Sequence, residues 1–435
     1  MKKKVITIAA ALMLSASLAA CGAANNNNTN TDTQIASQEQ QATAIENTSV
    51  EDAAATEYTA EATIVNVSTD GAIDTSDLFT ERDLTQTADL SEAVYLTLED
   101  SSDIEINGAG VYVISGEAQN STIIVEAGDE DKVQIVLDGA SITNTDFPCI
   151  YVKNADKVFV TTAEGTVNNL TVTGTFTADD TTNTDAVIFS KDDLVLNGLG
   201  TLNITSSDNG VACKDDLKVT GGTINITCED CAFEANDSIC VADGTINIQS
   251  VNDGLHAEYD EDDSVGFIYI CGGTININSD DDGIHATTIC QIDGGTIVID
   301  AAEAIEATQV QINDGTIDIK ATDDGINGSQ KSSAYTIFVE INGGDISIDM
   351  GQGDTDAIDS NGDLYINGGT LNITAQSAFD YDGAGQYNGG TIYVNGTQVN
   401  TLSNQMMGGM PGGDMGGQPG GQPGGQPGGG PGGRP

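Results

Sequence analysis

Hydrophobic positions from about residue 194 onward follow a pattern that repeats itself. Residues 217–233 read LKVTGGTINITCEDCAF, residues 268–284 IYICGGTININSDDDGI, and residues 310–326 VQINDGTIDIKATDDGI. A Thr after Gly recurs at Thr201, Thr223, Thr245, Thr274, Thr296, Thr316, Thr370 and Thr391, with Asp345 in that place once. Self-similarity at a period of about 22 residues is the mark of a solenoid. Within a unit, Ile268, Ile270, Ile275 and Ile277 alternate with other residues. That two-residue period belongs to strands with one buried face. Gly272-Gly273 supplies a sharp corner between the two runs, and a third short segment, Gly283-Ile284-His285-Ala286, follows an acidic turn. Three short strands per repeat, with no sustained helical period, predict an all-β fold: a right-handed single-stranded parallel β-helix. Longer steps are loop insertions, such as 259–266 and 329–336.

Successive repeats stack at the inter-strand spacing, about 4.8 Å, so equivalent positions form columns. Ile224, Ile246, Ile275, Ile297, Ile317, Ile346 and Leu371 form an inward column. Asn203, Asn225, Asn247, Asn276 and Asn372 form an outward ladder, interrupted by Val298, Asp318 and Ser347. Residues 91–173 are also strand-rich and read as the first repeats and cap of the same stack.

The two ends read differently. Lys2, Lys3 and Lys4 precede an apolar stretch over residues 5–20 that ends in Leu18-Ala19-Ala20-Cys21. A basic start, a short apolar run and small residues before the cut make a secretory signal, too short for a lasting membrane span. The ending is similar to a bacterial lipobox, with Cys21 as the lipidated (palmitate-bearing) first residue of the mature chain. Four parts are expected: a lipoprotein signal peptide, 1–21; a flexible polar tether, 22–89; a β-helix, 90–403; and a disordered Gly/Pro/Met/Gln tail, 404–435.

Composition narrows the partners. Thirteen Lys+Arg stand against 67 Asp+Glu, a formal net charge of −54. So acidic a surface repels phosphate backbones and anionic lipid, which excludes nucleic acid and leaves a lipid anchor as the sole membrane contact. It attracts divalent cations. The cysteines after Cys21 are odd in number, so they cannot all pair within the chain. They read mostly as small buried or turn residues.

Three surfaces carry candidate chemistry. Acidic residues recur at the turn after each Thr-Ile-x-Ile strand: Asp208, Asp230, Asp253, Asp281, Asp282, Glu303, Asp323, Asp324, Asp354 and Asp356. Stacked carboxylates repel unless protonated or neutralised. Ca²⁺, which takes several oxygen ligands in flexible geometry, would offset the repulsion. A solvated row of Asx turns accounts for the same residues. A second column holds Glu234, His256, His285, Glu306, Asn327, Asp359 and Asp380, with both histidines of the protein in consecutive repeats. It reads as an outward polar row, and imidazole with carboxylate also suits a transition metal. The third surface is the Thr/Asn face, whose hydroxyl and amide rows match sugar hydroxyls. Of these columns, His256, His285, Glu306, Asn327, Asn247 and Asn276 are the carbohydrate-binding candidates.

The segments DEDKVQIVLDGASIT, CIYVKNADKVFVTTAEGT and FSKDDLVLNG, the repeated GGTINI…DDGIHA and the ending YDGAGQYNGGTIYVNG resemble one family across residues 90–405. It is that of bacterial carbohydrate-binding-domain lipoproteins, typified by a clostridial protein that binds cellulose-like and pectic polysaccharides. Its similarity to β-helical pectate lyases implies a calcium-binding parallel β-helix outside the cell. The resemblance makes Asp281-Asp282-Gly283 and Asp323-Asp324-Gly325 the calcium turns here. Ala304 and Ala378 replace the second turn acid in their repeats, which argues against calcium there.

The expectation is a monomeric lipoprotein on the outer face of a bacterial membrane that binds plant cell-wall polysaccharide through a calcium-stabilised β-helix. The alternatives are a calcium-dependent pectate lyase and a structural adhesin or stalk. A lyase needs a base. Lys320, the one basic residue in an outward strand column, is the candidate, with a charge-balancing ion pair as its plainer role. Since Cys21 ends the lipobox, Cys21→Ala should release the protein from the membrane fraction or block its processing. Normal processing with unchanged fractionation would contradict the anchor.

Overall fold

A computed structural model describes residues 4–8 and 73–404, apart from 181, 260 and 352–354. The expected anchor at Cys21, most of the tether, Asp354 and nearly all of the tail lie outside the described residues. Among the described residues the protein is all-β, with no helical segment. No helix among the described residues is long and apolar enough to cross a membrane.

Among the described residues, thirty-five strands form one hydrogen-bonded sheet system, parallel except for its last pair. Through the repeats each strand pairs not with its chain neighbour but with the equivalent strand of the next repeat. Three rows result. The first row includes Ser238–Val241 and Phe267–Ile270; the second Thr245–Ser250 and Thr274–Ser279; the third Phe233–Ala235 and Leu255–Ala257. This architecture is consistent with a β-helix or solenoid. Gly110–Gln119, Lys132–Asn144 and Lys157–Thr162 enter the same rows, so the less regular residues 91–173 do belong to the stack. Strand Lys4–Ile8, within the expected leader, pairs in parallel with Ser102–Ile106.

The predicted columns are present in register. Ile224, Ile246, Ile275, Ile297, Ile317, Ile346 and Leu371 pair in succession and are all buried. Burying an aliphatic side chain of this size stabilises by about 1.5–3 kcal/mol, and the column repeats it at every level. The outward Asn ladder is bonded to itself. Asn225 Nδ2 donates to Asn203 Oδ1 (2.8 Å), Asn247 to Asn225 (2.8 Å) and Asn276 to Asn247 (2.9 Å). A second ladder, unforeseen in the sequence, runs along the corner before the recurring Thr. Asn313, Asn342, Asn367 and Asn388 each donate to the residue one level back, starting at Asp293.

At the C-terminal end Thr391–Val394 turns back on Thr397–Val399, antiparallel, through Asn395-Gly396 with φ of 50° and 73°. An Asn-Gly pair with both φ positive is the hairpin turn that matches strand twist. Folding back covers an open parallel edge that would otherwise template association.

One expectation needs correction. Residues 73–89, assigned above to the tether, pack along the first row. Asp83 is fully buried and 3.6 Å from Lys157 Nζ, Arg82 stacks over Phe159, and Gln86 bonds the backbone at Gly198 and Thr220. The first row's outward column runs Phe159, Val195, Lys218, Cys240 and Tyr269, and this stretch covers its aromatic members, Arg82 over Phe159 and Phe79 beside Tyr269. The cysteines follow their reading: all seven described are free and all but Cys271 are buried. Burial pushes the thiols of Cys149, Cys228, Cys240 and Cys290 up to about 12, which keeps them protonated.

The glycines after the acidic turns have a packing cause. A Cβ on Gly283 would fall 2.6 Å from Ala304 O and collide with Ile299 Cγ2 of the next repeat. Gly283→Ala should therefore destabilise by about 1–3 kcal/mol in urea unfolding, the usual range for overpacking. Gly108→Ala, with open space around it, should be close to neutral. Equal effects would contradict close approach of the repeats at the turns.

Candidate functional site

The acidic turns and the His-containing column, separate in sequence, meet in space. The turn acid precedes the strand residue by three, and the chain between them bends just enough to bring the side chains together. Asp253 Oδ2 lies 2.5 Å from His256 Nδ1, and Asp282 Oδ2 2.7 Å from His285 Nδ1. One level on, Glu303 and Glu306 join Asp282 in a group whose ligand oxygens lie within 4.8 Å of one another. Glu303 also accepts from Asn327 Nδ2 at 2.9 Å. The register Glu234, His256, His285, Glu306, Asn327, Asp359, Asp380 is continuous. The two imidazoles stack, centroids 4.8 Å apart and planes at 21°.

Turn carboxylates also brace the backbone between levels. Asp253 Oδ1 accepts from Asp282 N, and Asp324 Oδ1 from Asp356 N, each at 3.0 Å. These bonds spend one oxygen and leave the other toward the column.

An exposed polar row was expected, but His285, Glu306 and Asn327 are each buried to more than nine-tenths. The two insertions are the cause. Lys331 Nζ reaches Glu306 Oε2 at 2.6 Å and Ser329 Oγ reaches Oε1 at 2.8 Å. Ser333 in the same insertion bonds Asp263 of the other, at 2.8 Å from N. Glu258, at the root of that other insertion, places Oε2 3.5 Å from Nε2 of both His256 and His285.

Burial among like charges disturbs the acids strongly. Burial first, then neighbouring carboxylates, raise Asp282 and Asp324 to about 6 and Glu303 and Asp359 to about 7. Hydrogen bonds from His285 and Asp356 pull Asp282 and Asp324 back only in part. For His285 burial acts downward, but the carboxylates of Asp282, Glu258 and Glu306 around the ring overcome it and raise the imidazole to about 11. Glu306 goes the other way: burial raises it, yet His285, Lys331 and Ser329 together hold it down at about 2.

The remaining predicted residues scatter around this cluster. Asp281 and Asp323 are exposed on the outer side of their turns, while Asp208, Asp230 and Asp356 are half-buried. Asp230 accepts from Asn252 at 3.0 Å. Asn247 and Asn276 lie on the second row, bonded into the Asn ladder, so the six sugar-binding candidates occupy two rows rather than one surface. Lys320 is exposed, its ammonium 4.0 Å from Asp300. Glu258 and Lys331 escaped the sequence reading because Lys331 sits in an insertion and Glu258 borders one, outside the repeat. A Glu two residues after the column position in HAEYDEDD was the available signal.

A family model described as "Carbohydrate-binding domain-containing protein" matches residues 100–309 and 301–406. Together these cover more than half of the chain, which belongs to that family. A protein described in the same words from Acetivibrio thermocellus is 37% identical over 123 residues, 28% of this chain. The match spans 43% of that relative's length. A solved polysaccharide lyase-like protein from C. thermocellum aligns over 67% of this chain and 98% of its own, at 24% identity and a TM-score of 0.42.

The shifted groups set the pH dependence. Asp282, Glu303, Asp324 and Asp359 hold protons in the folded state up to pH 6–7 that the unfolded chain releases near pH 4. The folded state therefore binds more protons in that window, so stability falls as pH rises through it. His285 acts with the same sign: its contribution is complete below about pH 6.5 and is lost as pH rises toward 11. With chelator present, the melting temperature should be higher at pH 5 than at pH 7.5, and Glu303→Gln should flatten the difference. A melting temperature that climbs from pH 5 to pH 7.5 would contradict the site's electrostatics.

Proposed function

We propose that the protein is an extracellular, lipid-anchored polysaccharide-binding protein whose stack closes as a right-handed parallel β-helix and holds structural calcium. Membership of the carbohydrate-binding domain family is the observation that carries the polysaccharide reading. The outward second row supports it. Thr223, Asn225, Thr245, Asn247, Thr274 and Asn276 repeat at the strand spacing, with the ladder amides fixed by one another. Pre-ordered polar groups on a rigid face lose little entropy when they meet a ligand. A long, periodic, polar surface suits an extended chain of sugar units better than a small molecule.

Calcium is supported by the donor set. Asp282, Glu303 and Glu306 converge their oxygens, and burial among like charges leaves Asp282 and Glu303 short of neutralisation at neutral pH. A hard cation with oxygen ligands would relieve this, with Asp324 and the outer acids Asp281 and Asp323 within the same turns. His285 and Lys331 already supply part of the balance to Glu306.

The test separates sugar from ion. A pull-down panel of cellulose-like and pectic polysaccharides, run with calcium and with chelator, should show retention of at least one glycan. No retention on any polysaccharide under either condition would contradict the reading. Melting should rise with millimolar Ca²⁺ beyond what NaCl at matched ionic strength gives, since NaCl supplies screening alone. Ca²⁺ at a hundredfold excess over its dissociation constant would add about 2.7 kcal/mol. Joint replacement of Asp281, Asp282, Asp323 and Asp324 by Asn should remove most of that gain. An undiminished gain in this variant would place calcium elsewhere.

A further inference from the structure

We propose that His256, His285 and Glu258 form a binding site for a transition-metal ion of the Zn²⁺ type, adjoining the acidic turns, whose Asp253 and Asp282 support the two rings. The argument begins with the imidazole orientation. Each ring commits Nδ1 to a buried carboxylate, Asp253 at 2.5 Å for His256 and Asp282 at 2.7 Å for His285. That leaves Nε2 of both rings facing the same side, and the stacking holds them one level apart. Glu258 Oε2 lies 3.5 Å from each Nε2. The three donor atoms fall within 4.8 Å of one another. Zn²⁺ with bonds of about 2.0–2.1 Å in a tetrahedron spaces its ligands about 3.4 Å apart. Only a small closing movement separates the observed donors from that geometry.

A second observation points to a ligand. His285 is 7% exposed, yet its Nε2 has no hydrogen-bond partner; Glu258 stands at ion-pair distance only. A buried nitrogen left unbonded costs free energy, and coordination would satisfy it. The arrangement behind the rings is the one metal-ligating histidines use. A carboxylate on Nδ1–H fixes the tautomer and makes Nε2 more basic; at His285 the incoming ion displaces the Nε2 proton, which leaves to solvent as the ring turns neutral. Two imidazoles with a carboxylate select Zn²⁺, Cu²⁺ or Ni²⁺ over Ca²⁺ and Mg²⁺, which prefer oxygen alone. Three protein ligands leave one coordination position open. His256 and Glu258 also line an open depression of about 540 Å³, together with Lys214, Glu234, Tyr259 and Glu261. The fourth position therefore faces a space that admits water or a carboxylate or hydroxyl of a sugar. The surrounding negative charge favours capture of any dication.

The test uses the full mature chain, stripped with chelator and titrated with ZnCl₂ in millimolar Ca²⁺ so that hard-oxygen sites are occupied. One equivalent of Zn²⁺ should bind. Asp282→Asn, which weakens the support behind His285, should lower affinity by about 10–100-fold. His256→Gln and His285→Gln should each lower it further, and Asp323→Asn should leave it unchanged. Because His285 is buried and its variant could misfold, X-ray absorption of Zn²⁺-loaded wild type gives a readout free of substitutions. Two imidazole scatterers in the first shell are expected. No Zn²⁺ binding in the presence of Ca²⁺, an oxygen-only shell, or affinity indifferent to both histidine variants would each overturn the site. Failure here leaves the glycan panel and its calcium arm untouched.

Discussion

Parallel stacking in register places every side chain directly against its counterpart one repeat away, about 4.8 Å along the stack. The rest of the structure follows from what each residue type does under that constraint. Aliphatic side chains gain from it, since a column of Ile packs on itself without a change of shape. Asn gains as well, because an amide carries a donor at one end and an acceptor at the other. Each can therefore bond the level before and the level after, as both ladders do. Carboxylates lose. Ionised Asp and Glu accept only, and identical neighbours repel.

The third row is where that loss accumulates, and its sequence departs from strict repetition accordingly. The column varies along the stack, running Glu234, His256, His285, Glu306 and Asn327. Imidazole, ammonium and amide partners are interleaved with the acids. Lys331 reaches in from an insertion to Glu306, and the turn carboxylates spend one oxygen on backbone N–H groups of the next level. Compensation stays partial, as the raised acids Asp282, Glu303, Asp324 and Asp359 record. Repeats thus build the scaffold, and the exceptions to the repeat build the chemistry.

This division also explains how much could be read from the sequence. The inward Ile column, the Asn ladder and its breaks at Val298, Asp318 and Ser347 were legible, because a period of two within a period of about 22 determines them. That Asp253 touches His256, or Asp282 His285, was not. Contact at a spacing of three depends on how the backbone bends between turn and strand, which no periodicity encodes. Glu258 and the Lys331 insertion were missed because they interrupt the pattern that made the rest readable. Residues 73–89 look like tether by composition, yet they cover the first row. Tyr269 of that row is buried there, its ring beside Phe79.

For a protein of the carbohydrate-binding domain family, the account assigns two tasks to two rows: a rigid polar face on the second and a charge cluster on the third that needs protons or cations. The most direct test of this claim is the number of protons released on titration with Ca²⁺, the proposed cation, measured by calorimetry in buffers of different ionisation heat. At pH 6, Asp282, Glu303 and Asp324 hold protons that a cation must displace. The account predicts clear proton release at pH 6, declining toward none at pH 8. Binding without proton release at pH 6 would contradict it.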